Sequence, residues 1–303
     1  MKISYIPDYI RYAPLSIIIL LTRFMPVSSM MKLARGIGRL AYYVMAKRRN
    51  VAILNLKAAF GEKYSSAERK EIVRKMFLNL AMNFMELLLL PRFDRDWFKK
   101  NVTMENFQLV DDMIKKGHGI IFLTAHYGNW ELASVAASLS GYPMFVVGRI
   151  QKPKFLFELI VKHREISGCR HVTKGMSMRE MLRGLKDNNI FGMLGDQGGR
   201  TGVKRKFFGR NVFIAEGAFR MSQSTGGVIL PAFIRRENGS HHLVIEKPIL
   251  GDKVPVTDEM RLKAVDDYVR LLENYASKYP DQWMWTHRRW KLDIDSNKSA
   301  SGA

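Results

Sequence analysis

Gly119-Ile120-Ile121-Phe122-Leu123-Thr124-Ala125-His126-Tyr127-Gly128-Asn129-Trp130-Glu131 joins an apolar run to a polar turn. An unbroken series of branched and aromatic residues reads as a strand buried on both faces. Asn129 offers a side-chain oxygen to cap a helix opening near Trp130. His126 therefore stands at the carboxyl end of a strand, where open α/β sheets bind their ligands. Glu131 falls in the first helical turn, five residues on. Facing neighbours within one helix lie three or four apart, but across a strand-to-helix turn the two side chains can fold back on each other. A carboxylate on one imidazole nitrogen fixes the tautomer, stabilises the imidazolium and leaves the other nitrogen as a base. The expectation is a dyad with His126 as general base and Glu131 as its orienting group. The plain alternative is a surface histidine followed by a helix-starting carboxylate.

Outward from this stretch, strand and helix patterns alternate. Strands are expected at 143–147, 190–194, 228–234 and 242–249, and helices at 106–116, 132–139, 155–166, 177–186 and 257–279. Ser65 and Glu68 form a capping box opening a helix that reaches about residue 90. Ile72, Met76, Leu80 and Phe84 share one of its faces, and Leu87 to Leu90 run into Pro91 as core or as a lipid contact. This alternation specifies an α/β fold: a mixed, largely parallel sheet flanked by helices on both faces, with an N-terminal membrane-associated helix. No internal repeat is present. Arg149 and Asp196-Gln197 each follow an apolar strand, as His126 does, so these side chains should converge on one edge of the sheet. Arg149 can donate to an oxyanion or grip a phosphate, or form a surface salt bridge. Asp196 can anchor an arginine or a turn. No His/Cys/Asp grouping has metal-ligand spacing, so no metal or other cofactor is expected.

The net charge of +21 over 303 residues points to an anionic membrane, nucleic acid or an acidic carrier as partner. The cations are scattered and no nucleic-acid-binding motif appears, which argues against nucleic acid. A single cysteine, Cys169, excludes an internal disulfide, suits a reducing, cytoplasm-facing location and reads as a small core residue. Residues 12–31 are strongly apolar but interrupted by Arg23 and Pro26, and marginal for a span of about 20 residues. Lys32, Arg35, Arg39 and Lys47-Arg48-Arg49 follow, which places that flank on the cytoplasmic side. The organisation expected is an anchor at 1–31, spanning or interfacial, a domain at 32–292 and a disordered tail at 293–303.

Four ordered blocks carry a resemblance. His126-Tyr127-Gly128-Asn129-Trp130-Glu131 resembles the His-x4-Asp/Glu block of glycerolipid and lipid A acyltransferases, and its Asn-Trp-Glu ending is similar to the late acyltransferases of lipid A biosynthesis. Val147-Gly148-Arg149, then Asp196-Gln197 with Phe207-Phe208-Gly209, then Pro280-Asp281-Gln282-Trp283-Met284-Trp285-Thr286-His287-Arg288-Arg289 resemble that family's later blocks in the same order. The chain departs from the family after Phe-Phe-Gly, where Phe213 to Gly217 supply no threonine. The resemblance implies transfer of a fatty acyl chain from an acyl thioester to a hydroxyl of a lipid A precursor at the inner membrane. The donor would be acyl carrier protein or acyl-CoA, and the alternative acceptors are a lysophospholipid, aminolipid or glycolipid. Arg164 and Arg179 also match family arginines. No Gly-x-Ser-x-Gly elbow occurs, so transfer should be direct, without an acyl-enzyme.

Two further segments bear on the substrate. Between Arg200 and Arg210 lie Lys204, Arg205 and Lys206 with no acid, around Phe207-Phe208. Lys204, Arg205 and Phe208 are expected to bind substrate, as a phosphate grip or a lipid-facing surface. Trp283, Trp285 and Trp290 read as core packing or as anchors at the headgroup level.

Overall fold

The computed structural model describes residues 12–142, 144–148, 152–173, 178–198, 202–251 and 255–290. Pro26 divides the apolar N-terminal segment into α1 (Ala13–Phe24) and α2 (Val27–Val44), because its ring bars a continuous helix. Met30, Ala34 and Gly38 recur at helical spacing and are buried. That stripe lies against α4 (Ser66–Leu89), so closely that a Cβ on Gly38 would stand 2.7 Å from the Leu78 Cα. The domain boundary expected at residue 31 therefore falls inside a helix that packs on the rest of the chain. Among the described residues no helix is long and apolar enough to cross a membrane. Between α2 and α4 lies α3 (Ala46–Phe60). The capping box at α4 is formed in both directions by Ser65 and Glu68. Leu87 to Leu90 are buried, so the run is not an outward lipid-facing surface, and Leu87 lines an internal cavity.

A seven-stranded sheet follows, made of β1 (Val102–Glu105), β2 (Ile120–Thr124), β3 (Met144–Gly148), β4 (Arg170–Thr173), β5 (Ile190–Leu194), β8 (Val228–Glu237) and β9 (Ser240–Ile245). Its order is β1-β9-β8-β2-β5-β3-β4, with every neighbouring pair parallel except β8 and β9. The connecting helices are α5 (Arg95–Asn101), α6 (Gln108–Lys115), α7 (Trp130–Leu139), α8 (Lys154–Ile166), α9 (Met178–Lys186), α10 (Gly217–Thr225) and α11 (Asp258–Lys278). Ile121, Leu123 and Phe191 pack with α10, α11 and the tryptophans of the C-terminal segment. Ile120, Phe122 and Ile190 pack on the other face with the later part of α4 and with α7. The expected mixed, largely parallel α/β sheet is the observed one.

The sequence pattern does not reveal β1 and β4. Both are four-residue edge strands, and only Val102 of β1 is buried, so no alternation marks it. The basic segment differs more. It forms an antiparallel hairpin of β6 (Val203–Phe207) and β7 (Arg210–Ile214). Phe208 and Gly209 both have positive φ, 48° and 72°, as a two-residue turn of the mirrored type requires. Phe207 is fully buried against Trp283 and Trp290, and Phe208 packs on Phe60 and Trp285. Phe207 is thus core, and Phe208 is half-buried against it rather than an exposed lipid contact. Trp283, Trp285 and Trp290 are likewise buried, so they are not headgroup anchors.

Candidate active site

The turn after β2 is built around Gly128. Its φ of 54° is left-handed, and a Cβ there would stand 1.6 Å from the Ile234 carbonyl oxygen, so only glycine fits. Asn129 caps α7 as expected, accepting from the Leu132 amide at 3.4 Å. The C-terminal segment closes over the turn from the other side: the Gly128 amide donates to Gln282 O at 2.8 Å and the Met284 amide to His126 O at 2.9 Å. The two peptides that follow His126 are therefore held by distant chain.

The partner of His126 is Asp196. Imidazole Nδ1 and Asp196 Oδ1 are 2.8 Å apart. Asp196 is fully buried; its Oδ2 accepts from Trp283 Nε1 at 3.2 Å and faces Arg289 Nη2 at 3.5 Å. Burial pushes the Asp196 carboxyl up, but the charge and hydrogen bond of His126, with Arg289, outweigh it and hold the group at about 2. An ionised carboxylate only accepts, so Nδ1 carries a proton, and in the neutral imidazole the lone pair is then on Nε2. Arg289 is itself buried, with its guanidinium over the Trp283 ring at 4.6 Å and the Phe207 ring at 5.1 Å.

Glu131 takes a different partner from the one expected. Its two oxygens accept from Arg164 Nε at 2.9 Å and Nη2 at 2.7 Å, and Arg164 Nη1 donates to His171 Nδ1 at 3.0 Å. The reason lies in strand register. Thr124 pairs with Leu194 in parallel β2 and β5, which sets residues 126 and 196 side by side. Glu131 instead leaves the first turn of α7 toward α8. The carboxylate on the imidazole is Asp196, and Glu131 holds Arg164.

Beside these groups runs a cavity of about 950 Å³. Its sheet wall crosses the strands through Ile245, Ala232, Phe122, Gly192 and Val146, under Phe84 and its neighbours on α4. His126, Glu131, Arg164, His171, Gln197 and His287 are among its polar residues. A mostly apolar pocket of this size with few polar groups suits a chain-like apolar ligand carrying one reactive centre.

Residues 3–292 match the model of the bacterial lipid A biosynthesis acyltransferases. This chain belongs to that family. It is similar to the lipid A biosynthesis palmitoleoyltransferase of Escherichia coli (25% identical over 267 residues, 86% of this chain and 84% of the relative). It is also similar to the lipid A biosynthesis lauroyltransferase of the same organism (21% over 271 residues, 88% and 87%). A phosphatidylinositol mannoside acyltransferase of Mycolicibacterium smegmatis is 22% identical over 238 residues, 76% of each chain.

In this acyltransferase the structure gathers His126, Asp196, Glu131, Arg164 and Gln197 at the cavity and its rim. Arg149 lies outside the described residues, and Arg179 is exposed on α9. The three residues of the basic hairpin are not in the cavity wall. Lys204 is exposed, Arg205 pairs with Asp266 at 2.6 Å, and the Phe208 amide donates to Glu273. The contacts of Arg205 and Phe208 fasten the hairpin to α11. His287, missed in the sequence, lines the cavity, and burial with Arg289 pushes its pKa down. Its position in the Trp-Met-Trp-Thr-His run was the available signal.

Proposed function

We propose that the protein transfers a fatty acyl chain from acyl carrier protein to a hydroxyl of a lipid A precursor at the inner membrane, with His126 Nε2 as the base. The observation that carries this reading is the 2.8 Å pair of His126 and buried Asp196 in the wall of the apolar cavity. A hydroxyl is a poor nucleophile until a positioned base takes its proton, and an imidazole with a fixed tautomer serves near neutral pH. Asp196 then stabilises the imidazolium that forms. The acyl chain occupies the apolar stretch, and the cations Arg164 and Arg149 bind the anionic parts of donor or acceptor. The basic surface suits an acidic carrier protein, with acyl-CoA as the other thioester of the same chemistry.

The membrane reading rests on α1 and α2. Ile17, Leu20 and Phe24 on α1, and Leu40, Tyr43 and Val44 on α2, are exposed beside Lys32, Arg35 and Arg39. Apolar residues bordered by cations suit a helix lying in the interface of an anionic membrane. The similarity to a phosphatidylinositol mannoside acyltransferase supports a second reading, a different glycolipid acceptor.

Replacing His126 by Ala tests the base. Transfer should fall by about 10²–10⁴-fold in a protein with unchanged circular dichroism. A folded variant with the parent's rate removes His126 as the base. Mass spectrometry of membrane lipids from cells with and without the protein separates the acceptors.

A further inference from the structure

Glu86 sits near the end of α4, 4% exposed, in an otherwise apolar run from Met85 through Leu90. Four hydrogen bonds converge on it. Oε1 accepts from Arg236 Nη1 at 2.7 Å and from His241 Nε2 at 3.1 Å. Oε2 accepts from Arg236 Nη2 at 2.6 Å and from Asn129 Nδ2 at 2.6 Å. Burial pushes the Glu86 carboxyl up, but His241 and Arg236 outweigh it and hold it at about 2. One turn earlier, Asn83 donates to the Gly128 carbonyl at 2.5 Å and accepts from Arg236 Nη2 at 3.0 Å. The Arg236 peptide is tied to the Gln282 side chain in both directions at 2.7 Å, and Gln282 O receives the Gly128 amide.

Helix α4 and the C-terminal segment therefore bond Gly128 and Asn129, the residues just past His126, and strands β8 and β9 join them through Arg236 and His241 on Glu86. Stability alone does not call for such a cluster. Buried ion groups are often replaced by packed apolar residues with no loss of stability. What a charged, hydrogen-bonded cluster supplies is direction, because each bond fixes an angle as well as a distance.

We propose that Glu86, with Arg236 and Asn129, is the positioning device of the active site: it sets the turn that holds His126 in register with Asp196 and the cavity. The inference rests on His126 acting as the base.

Two variants test it, assayed as acyl transfer from a fatty acyl-carrier-protein thioester to a detergent-dispersed lipid A precursor. Glu86→Gln keeps the shape and removes the charge. Asn129→Ser keeps an oxygen to cap α7 but cannot reach Glu86. Both should lower kcat by roughly 10- to 100-fold, as displacement of a catalytic group does, with KM for the thioester within about twofold, since the acyl-binding walls are untouched. A kcat per folded enzyme near the parent's in Asn129→Ser overturns the proposal. If Glu86→Gln does not fold, Asn129→Ser decides alone. His126→Ala runs in parallel: if it keeps the parent's rate, the base reading fails. If it is inactive while Asn129→Ser is fully active, only the positioning role fails.

Discussion

Asp196 and Glu131 are both carboxylates near the imidazole in sequence logic, yet they do different work, and substitution should separate them. Asp196→Asn leaves His126 without its anionic partner and frees the wrong tautomer, so kcat should drop by about 10²-fold or more with KM little changed. Glu131→Gln releases Arg164 from its bidentate hold in the cavity wall, so its effect should fall mainly on KM for the anionic substrate. Steady-state kinetics of the two variants side by side checks this, and equal kcat losses at constant KM would contradict it. Two buried carboxylates, Asp196 and Glu86, set an acid limit. Asp196 and Glu86 are held at about 2 in the folded protein, below the ordinary carboxylate range near ~4. A depressed carboxyl contributes stability that is complete above its unfolded value and is lost as pH falls toward the folded one. The melting temperature should therefore decline steeply from about pH 4 toward pH 2, and less steeply in Glu86→Gln.

At the scale of elements, two close approaches carry the fold around the site. Helix α2 touches α4 through Gly38, where an added Cβ would meet the Leu78 backbone at 2.7 Å. Gly38→Leu should push the helices apart and cost about 1–3 kcal/mol, read as a lower denaturation midpoint. The hairpin of β6 and β7 is pinned by Phe207, which is fully buried among Trp283 and Trp290. Phe207→Ala should cost about 3–5 kcal/mol. Because Trp283 also donates to Asp196, that loss should carry into kcat. Replacing the exposed Lys204 and Lys206 on the same hairpin by Gln should leave the melting temperature within a degree or so, since surface substitutions act by under about 0.5 kcal/mol.

For the whole molecule, the proposed membrane face is a surface property rather than a span. The exposed apolar residues of α1 and α2 lie on helices whose other sides pack inward, as Met30 and Ala34 show. Leu40→Asp together with Tyr43→Asp should reduce sedimentation with anionic vesicles while leaving the fold intact. Raised salt should weaken binding of the parent, because the cations next to that face are screened over about 10 Å at 0.1 M. Vesicle binding indifferent to both changes would rule this face out.

Local chemistry made much of the protein legible from its sequence alone. The buried strand before His126, the Asn129 cap, the Ser65–Glu68 box, the strand at 190–194 and the α/β class all follow from residue periodicity and capping, which need no knowledge of neighbours. So does the gathering of His126 and Asp196 at one sheet edge, since both end apolar strands. Partner choice was decided only in three dimensions. Glu131 is near His126 along the chain, but the register of β2 with β5 puts Asp196 beside it, and register is a relation between strands distant in sequence. Phe207-Phe208 read as exposed because their flanks are basic; the hairpin turns one ring into the core and leaves the lysines outside. Glu86 shows the same limit. As one charge in an apolar run it looks like a helix-surface residue, and only the meeting of α4, β8, β9 and the C-terminal segment makes it the anion that the turn beside the imidazole is fastened to.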